Sequence, residues 1–155
     1  QLSFPYFRKL WNLNNTSPRT NHHENYVIFR LADIYLMAAE AENELNGPGE
    51  AYAYVNAVRA RAFEPDKPWS NMSQDQFREA MYDERKFELC AEGYRKMDLI
   101  RWDILLDVVK NTEQRPWNNP ADNIQPYHVK LPIPLSEIEL NPNLLNTDPT
   151  NNGYR

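Results

Sequence analysis

Glu84, Glu88 and Glu92 stand at i, i+4 and i+8, so on a helix three carboxylates share one face. Carboxylates in pairs can act as the acid and base of a glycosidase, but that chemistry needs two groups on opposite sides of the scissile bond, within a cleft. A ladder on one helix face has a different geometry. Like charges at that spacing repel, so the ladder calls for cationic partners, and arginines lie close by in sequence. Past Gly93, which suits a left-handed helix cap, come Arg95 and Arg101, with Asp98 three residues before Arg101. Arg59 and Arg61 lie on the preceding helical stretch. They point about 200° apart on a helix, so one is expected to face the carboxylates and the other to meet solvent or a partner. The set Glu84, Glu88, Glu92, Arg95, Asp98, Arg101 and Arg59 is therefore read as a structural ion-pair network, with no catalytic residue in it.

Other chemistries lack their residues. A di-metal helical bundle needs Glu-x-x-His motifs; none is present, and His22, His23 and His128 fall outside the helices assigned below. There is no glycine-rich phosphate cradle, nucleophile elbow or cysteine-based metal spacing. Neither a metal nor a cofactor is expected, and the chain is not read as an enzyme. Cys90 is the single cysteine; it can close no internal disulfide, and between Leu89 and Ala91 it reads as a small buried thiol. Loop aromatics are the remaining functional signal. Sugar C–H faces stack on indole and phenol rings while amides bond the hydroxyls. Trp69 with Asn71, Trp117 with Asn118 and its neighbour Asn119, Tyr127, and Trp11 with Asn12 and Asn14 have that composition. A Trp in a proline-rich loop more often plugs a hydrophobic surface than stacks a ligand. Trp102, set among apolar helix residues, is expected in the core.

The elements that would position these groups are helices. Val27, Leu31, Ile34, Ala38, Ala41 and Leu45 recur at helical spacing, and Ile28, Ala32, Tyr35 and Ala39 form a second apolar row beside them, so this helix is expected to be covered on two sides. Asn46-Gly47-Pro48-Gly49 ends it, and Ala51, Val55, Val58 and Ala62 supply the stripe of a second helix. After a loop at 64–71, Ser73 and Gln76 form a capping box, and Met72 with Phe77 a hydrophobic staple. Phe77, Ala80, Met81, Phe87 and Ala91 are the expected buried side of this third helix. Met97, Ile100, Ile104, Leu105 and Val108 mark a fourth, ending near Lys110. The fold class is all-α: two antiparallel helical hairpins, tetratricopeptide-like in length, wrapped by long proline-rich irregular segments. Residues 1–25 form an irregular N-terminal segment and 26–155 the helical domain. Its tail, 111–155, holds Pro116, Pro120, Pro126, Pro132, Pro134, Pro142 and Pro149. These rule out long regular elements, leaving an extended strap with one short helical turn near Ser136 to Leu140.

Bulk properties agree with a folded domain. The 155 residues are 41% hydrophobic and 12% aromatic, ordinary values for a packed chain. A net charge of -5 argues against nucleic acid or an anionic membrane surface as partner. No run of 18 apolar residues exists to span a membrane. The first residue is Gln1 and no secretory signal pattern follows it.

Residues 84–102, written E-R-x-x-E-L-x-x-E-G-x-R-x-x-D-L-x-R-W, resemble the C-terminal signature of the SusD/RagB family of outer-membrane nutrient-binding lipoproteins. Arg30 to Glu44, the stretch Asn56 to Ala62, the run Leu131 to Pro134 with Glu137-Ile138 and Asn141-Pro142, and Asn152-Gly153-Tyr154 are similar to further family blocks in the same order. Asn146 to Asn151 separates the last two blocks by more residues than the compact family ending. The likeness covers 26–155 well and 1–25 poorly. It implies a C-terminal portion of a longer protein, lipid-anchored on the outer membrane at the cell surface. Such a protein binds a glycan or other nutrient and passes it to a SusC-like TonB-dependent transporter. The anchor would lie outside this segment. The alternative is a protein-interaction scaffold with no ligand site in this portion.

Overall fold

The computed structural model describes Lys9 and residues 27–112, 119–146 and 148–154. Every regular element among them is helical, in two units divided between Arg95 and Lys96. No described helix is long and apolar enough to cross a membrane.

In the first unit α1 (Leu31–Asn46) and α2 (Pro48–Ala62) form a hairpin joined by the single residue Gly47. Its φ of 86° reverses the chain where a side chain would be strained. Pro48 ends one helix by beginning the next, since the first helical position needs no amide hydrogen. The capping box forms as expected: Gln76 N–H donates to Ser73 Oγ at 3.2 Å and Ser73 N–H to Gln76 Oε1 at 2.9 Å. It starts α3 (Gln74–Glu88), which packs across α1. Leu36, Ala39, Ala51, Val55, Val58, Phe77 and Met81 make the core, with Ala32, Tyr35, Tyr52, Trp69 and Met72 against it.

The face that α1 turns inward differs from the longer apolar row. Val27, Leu31, Ile34, Ala41 and Leu45 are exposed and Ala38 half-buried; of the second row Ala32, Tyr35 and Ala39 pack with Leu36, while Ile28 is exposed. Polar groups select between two apolar sides. Asp33 and Asn43 sit on the inward side, where α3 supplies partners for both: Arg85 Nη1 lies 2.9 Å from Asp33 Oδ1, Asn43 Nδ2 donates to the Gln74 carbonyl at 3.1 Å, and Gln74 Nε2 donates to the Asn43 main-chain carbonyl at 2.5 Å. A buried charge or amide is tolerated only with such partners.

On α3, Phe77 and Met81 are buried as the periodicity predicts, but Phe87 and Ala91 are exposed and Ala80 half-buried. Arg85 and Leu89 occupy the inward positions instead. The helix also stops at Glu88, short of Gly93. Ala91 enters the left-handed region at φ 68° ahead of Gly93 at 88°, so Glu92 lies beyond the helix. Cys90 is exposed in this turn, not buried.

The second unit corrects the continuous fourth helix. α4 (Arg95–Arg101) and α5 (Leu105–Lys110) are separate. Asp103, at φ 58°, makes a Schellman reversal in which Ile104 N–H reaches the Leu99 carbonyl and Asp103 N–H the Ile100 carbonyl, both at 3.0 Å. Met97 is exposed, Trp102 is half-buried with the Arg101 guanidinium over its ring at 4.6 Å, and Leu99 and Leu105 take the buried places.

The tail holds more helical turns than the one expected. α6 (Pro120–Asn123), a 3₁₀ turn at Pro126–Val129, α7 (Leu135–Leu140) and a second 3₁₀ turn at Pro142–Leu145 follow one another. Pro120, Pro126 and Pro142 each stand at the start of a turn, where their fixed φ is an advantage. Asn side chains order the rest. Asn151 Oδ1 accepts from Ile133 N–H at 2.7 Å and its Nδ2 donates to the Ile133 carbonyl at 3.1 Å. Asn152 Nδ2 donates to the Leu131 carbonyl at 2.9 Å and Tyr154 Oη to that of Lys130 at 3.0 Å.

Candidate functional site: a carboxylate ladder beside an aromatic groove

The ladder begins on the last turns of α3 and continues past its end. Glu84 pairs with Arg59 of α2, Oε2 to Nη1 at 2.5 Å. Glu88 Oε1 receives two guanidinium groups at 2.6 Å, from Arg30 and Arg61. Glu92 receives Arg30 Nε at 2.7 Å and Lys9 Nζ at 2.5 Å. Both Arg59 and Arg61 thus reach carboxylates, on different rungs, although their helical directions diverge; the expectation that only one would do so does not hold. The ladder is long enough, and an arginine flexible enough, for each to find its own rung.

Arg30, the residue before α1, has the most demanding role. Its Nη2 also donates to the Glu88 carbonyl at 2.6 Å. Lys9 Nζ donates to the same carbonyl at 2.5 Å. These cations lie at the C-terminal end of α3, where the unsatisfied carbonyls carry partial negative charge. One guanidinium therefore joins the helix end to the carboxylate that follows it. Sequence reasoning missed Arg30 and Lys9, which lie 58 and 79 residues from Glu88. It also missed Arg85, whose pair with Asp33 is the most deeply buried of the described ion pairs. An arginine placed where periodicity demands an apolar residue was the available signal. Of the other named residues, Arg95 Nη1 donates to the Tyr82 carbonyl at 3.0 Å and Arg101 Nε to Asp98 Oδ1 at 3.0 Å, with Asp98 buried.

Electrostatics divide the rungs. Burial pushes the Glu84 carboxyl above its ordinary value, and Arg59 only partly offsets this. Burial acts on Glu92 in the same direction, but hydrogen bonds from Arg30 and Lys9 outweigh it and hold this carboxyl below its ordinary value. The Arg30 guanidinium is correspondingly raised, first by Glu92. Each of these acids is engaged by at least one cation.

Beside the ladder is a groove of about 520 Å³ lined by Phe63, Trp69, Phe87, Arg59 and Glu84. Trp69 is half-buried and edge-on to Phe77, ring centres 5.3 Å apart, and the Arg59 guanidinium lies 5.1 Å from its centroid. Asn56 holds the Trp69 backbone in place: Oδ1 accepts from its N–H at 2.7 Å and Nδ2 donates to its carbonyl at 3.0 Å. Asn71 is exposed, at φ 57°, a conformation asparagine accepts better than most residues. Trp117 and Asn118 lie outside the described residues, as do Trp11, Asn12 and Asn14 and the His22-His23 pair.

In the second unit Tyr127 is half-buried and packs on Tyr154, ring centres 4.8 Å apart, and on His128 at 4.4 Å. Gly153, at φ 93°, lies so close that a Cβ there would sit 2.6 Å from that of Tyr127. Asn119 caps α6 through Oδ1, which accepts from Ala121 N–H at 3.2 Å. Among the described residues no cluster of histidine, cysteine and carboxylate has the makings of a metal site.

The SusD family model matches residues 3–154. SusD-like protein P25 of Formosa agariphila is 60% identical over 99% of this chain, SusD-like protein P2 of the same organism 36% over 84%, and the starch-binding protein SusD of Bacteroides thetaiotaomicron 32% over 83%. The chain spans 30%, 26% and 21% of their respective lengths. No solved structure matches it at a significant level. With a family model that matches nearly end to end, a relative at 60% identity, and signature residues 84–102 occupied by the paired ladder and the turn that follows it, the chain belongs to the SusD family.

Proposed function

We propose that this chain is part of a glycan-binding protein of an outer-membrane nutrient-uptake complex, capturing oligosaccharide at the cell surface and passing it to a SusC-like TonB-dependent transporter. The observation that carries the reading is family membership along almost the whole chain, with a relative named for binding starch among the matches. The site geometry supports binding over catalysis, because Glu84, Glu88 and Glu92 all pair with cations. The membrane attachment is a lipid anchor outside this segment. Within the segment, Trp69 with Asn71, Trp117 with Asn118, and Tyr127 are the proposed glycan contacts. Stacking on an aromatic ring needs a free face, and Trp69 borders a groove that also holds the exposed rings of Phe63 and Phe87.

A second reading, a protein-interaction scaffold whose ligand site lies elsewhere, is favoured by the packing of the Trp69 and Tyr127 rings on their neighbours. A glycan array probed with the polypeptide at the full length of its relatives separates the two. Binding to one polysaccharide class, weakened by Trp69→Ala or Trp117→Ala, supports the first. Binding unchanged by both substitutions moves the site out of this segment, and silence across all glycans contradicts the capture role.

A further inference from the structure

The second unit holds a hollow of about 370 Å³, the size of a small-ligand cleft. Its floor is aliphatic: Leu105 and Val109 come from α5, and Pro120 and Ile124 from the segment packed against that helix. Its polar groups are Lys96, Asn123 and His128. Among the described residues no carboxylate lines it, although Asp107 and Asp122 stand on the same helices. The groove beside Trp69 has the opposite balance, with Asp83, Glu84 and Glu88 against the single cation Arg59. The polar groups of the hollow keep capacity to bind. His128 Nδ1 accepts from Gln125 N–H at 2.8 Å, so the neutral ring carries its proton on Nε2, at the edge away from that bond. Packing on Tyr127 at 4.4 Å and on Tyr154 at 5.8 Å fixes the plane of the ring. Among the described residues neither His128 Nε2 nor Lys96 Nζ has a hydrogen-bond or ion-pair partner. Asn123 Nδ2 donates to the Asn119 carbonyl at 3.0 Å, which leaves its Oδ1 free to accept.

We propose that this hollow is a subsite for an acidic sugar unit. Lys96 Nζ and His128 Nε2–H donate to the oxygens of its carboxylate or sulfate ester, Asn123 Oδ1 accepts from a hydroxyl, and the C–H face of the ring lies on Leu105, Val109, Pro120 and Ile124. The inference rests on the glycan-capture reading and names the class of glycan, a polysaccharide that carries anionic units. Two donors and one acceptor around an aliphatic floor match a saturated ring bearing both an anionic group and hydroxyls. Hydrogen bonds to a charged oxygen are about twice as strong as those to a neutral one, so Lys96 and His128 favour an acidic sugar over its neutral counterpart. Lysine presents a point charge on a flexible stem, which serves a carboxylate and a sulfate ester alike. The His128 ring is already held by Gln125 and the two tyrosines, so little ordering is required of it on binding.

The test is titration of the polypeptide at full relative length with D-glucuronate, D-glucose 6-sulfate and D-glucose, followed by ligand-observed NMR. At least one of the two acids is expected to bind about tenfold more tightly than glucose, the size of one hydrogen bond to a charged group, and the tighter of the two identifies the anion. Lys96 is exposed, so its replacement leaves the fold intact: Lys96→Met should abolish the preference and Lys96→Arg should keep it. His128→Asn retains an acceptor for Gln125 N–H while removing the distal donor, and should weaken the acid with glucose unaffected. Acid and neutral sugars bound alike, no binding of any of the three, or acid binding untouched by both Lys96→Met and His128→Asn would overturn the subsite. The two readings fail separately. Polysaccharide capture on a glycan array with no preference for acids sinks the subsite alone, whereas Lys96-dependent binding of an acid with silence across the array keeps the site and sinks the capture role.

Discussion

The two units are held together by different means. In 27–95 three helices of about fifteen residues share an apolar core, and polar residues within it are paired across helices, Asp33 with Arg85 and Asn43 with Gln74. In 96–154 the helices are four to seven residues long, and Leu99, Leu105 and Ile138 are the buried apolar residues described. There the backbone is held by side-chain amides and ring contacts. Asn151 grips both polar groups of Ile133, and Tyr127 packs on Tyr154 over Gly153. The first unit stores its stability in burial and the second in the satisfaction of backbone groups that no long helix satisfies. A helix too short to pair its own ends must find those partners elsewhere.

Removing one partner of a buried pair should separate the units most sharply. Arg85→Ala leaves the Asp33 carboxylate buried without its cation, and a loss of about 3–5 kcal/mol is expected in urea unfolding. The double change Arg85→Met, Asp33→Leu should recover most of it. A single-variant loss under about 1 kcal/mol would show that the core of the first unit does not depend on the pair. In the second unit, Asn151→Ala frees the amide and carbonyl of Ile133, a loss of about 1–3 kcal/mol. Hydrogen exchange should report it at 130–133 with the protection of α1 and α2 unchanged. If α1 and α2 lose protection as well, the two units are not independently held.

The smallest effect is a dependence on pH. The Glu92 carboxyl is held below its ordinary value of 4.5, so its stabilising contribution is present above that pH and lost as pH falls through the lower, folded value. Glu84 has the opposite sign. Its folded carboxyl is raised, so the unfolded chain ionises first and stability falls as pH rises from 4.5 through the raised value. Unfolding free energy measured from pH 3 to 7 should therefore fall less steeply on acidification in Glu92→Gln than in the parent, and more steeply in Glu84→Gln. Parallel curves for all three proteins would contradict the assignment of these shifts.

Much of the first unit was legible in sequence because local rules decide it. Gly47-Pro48 marks the turn between α1 and α2, and Ser73 with Gln76 marks the start of α3. The inward side of α1 was not legible, since two apolar rows compete and Arg85, far along the chain, settles between them. The break at Asp103 was hidden for a related reason. A left-handed aspartate ends α4 where apolar periodicity continues without interruption. In the tail, prolines correctly excluded long helices, but their aptitude for starting short ones makes several turns where one was expected. For the site, the three carboxylates do meet cations, although Glu92 lies beyond the helix and not on one face with Glu84 and Glu88. The identity of those cations was only partly visible, because Arg30 and Lys9 approach from distant sequence.

The central claim is that Glu84, Glu88 and Glu92 hold a framework and break no bonds, and Glu88→Gln tests it most directly, since Glu88 meets two guanidinium groups at once. Melting temperature and release of reducing ends from polysaccharide should be measured together on parent and variant at full relative length. The account predicts a lowered melting temperature and no reducing ends released by either protein. Hydrolysis by the parent that Glu88→Gln abolishes, at an unchanged melting temperature, would contradict it.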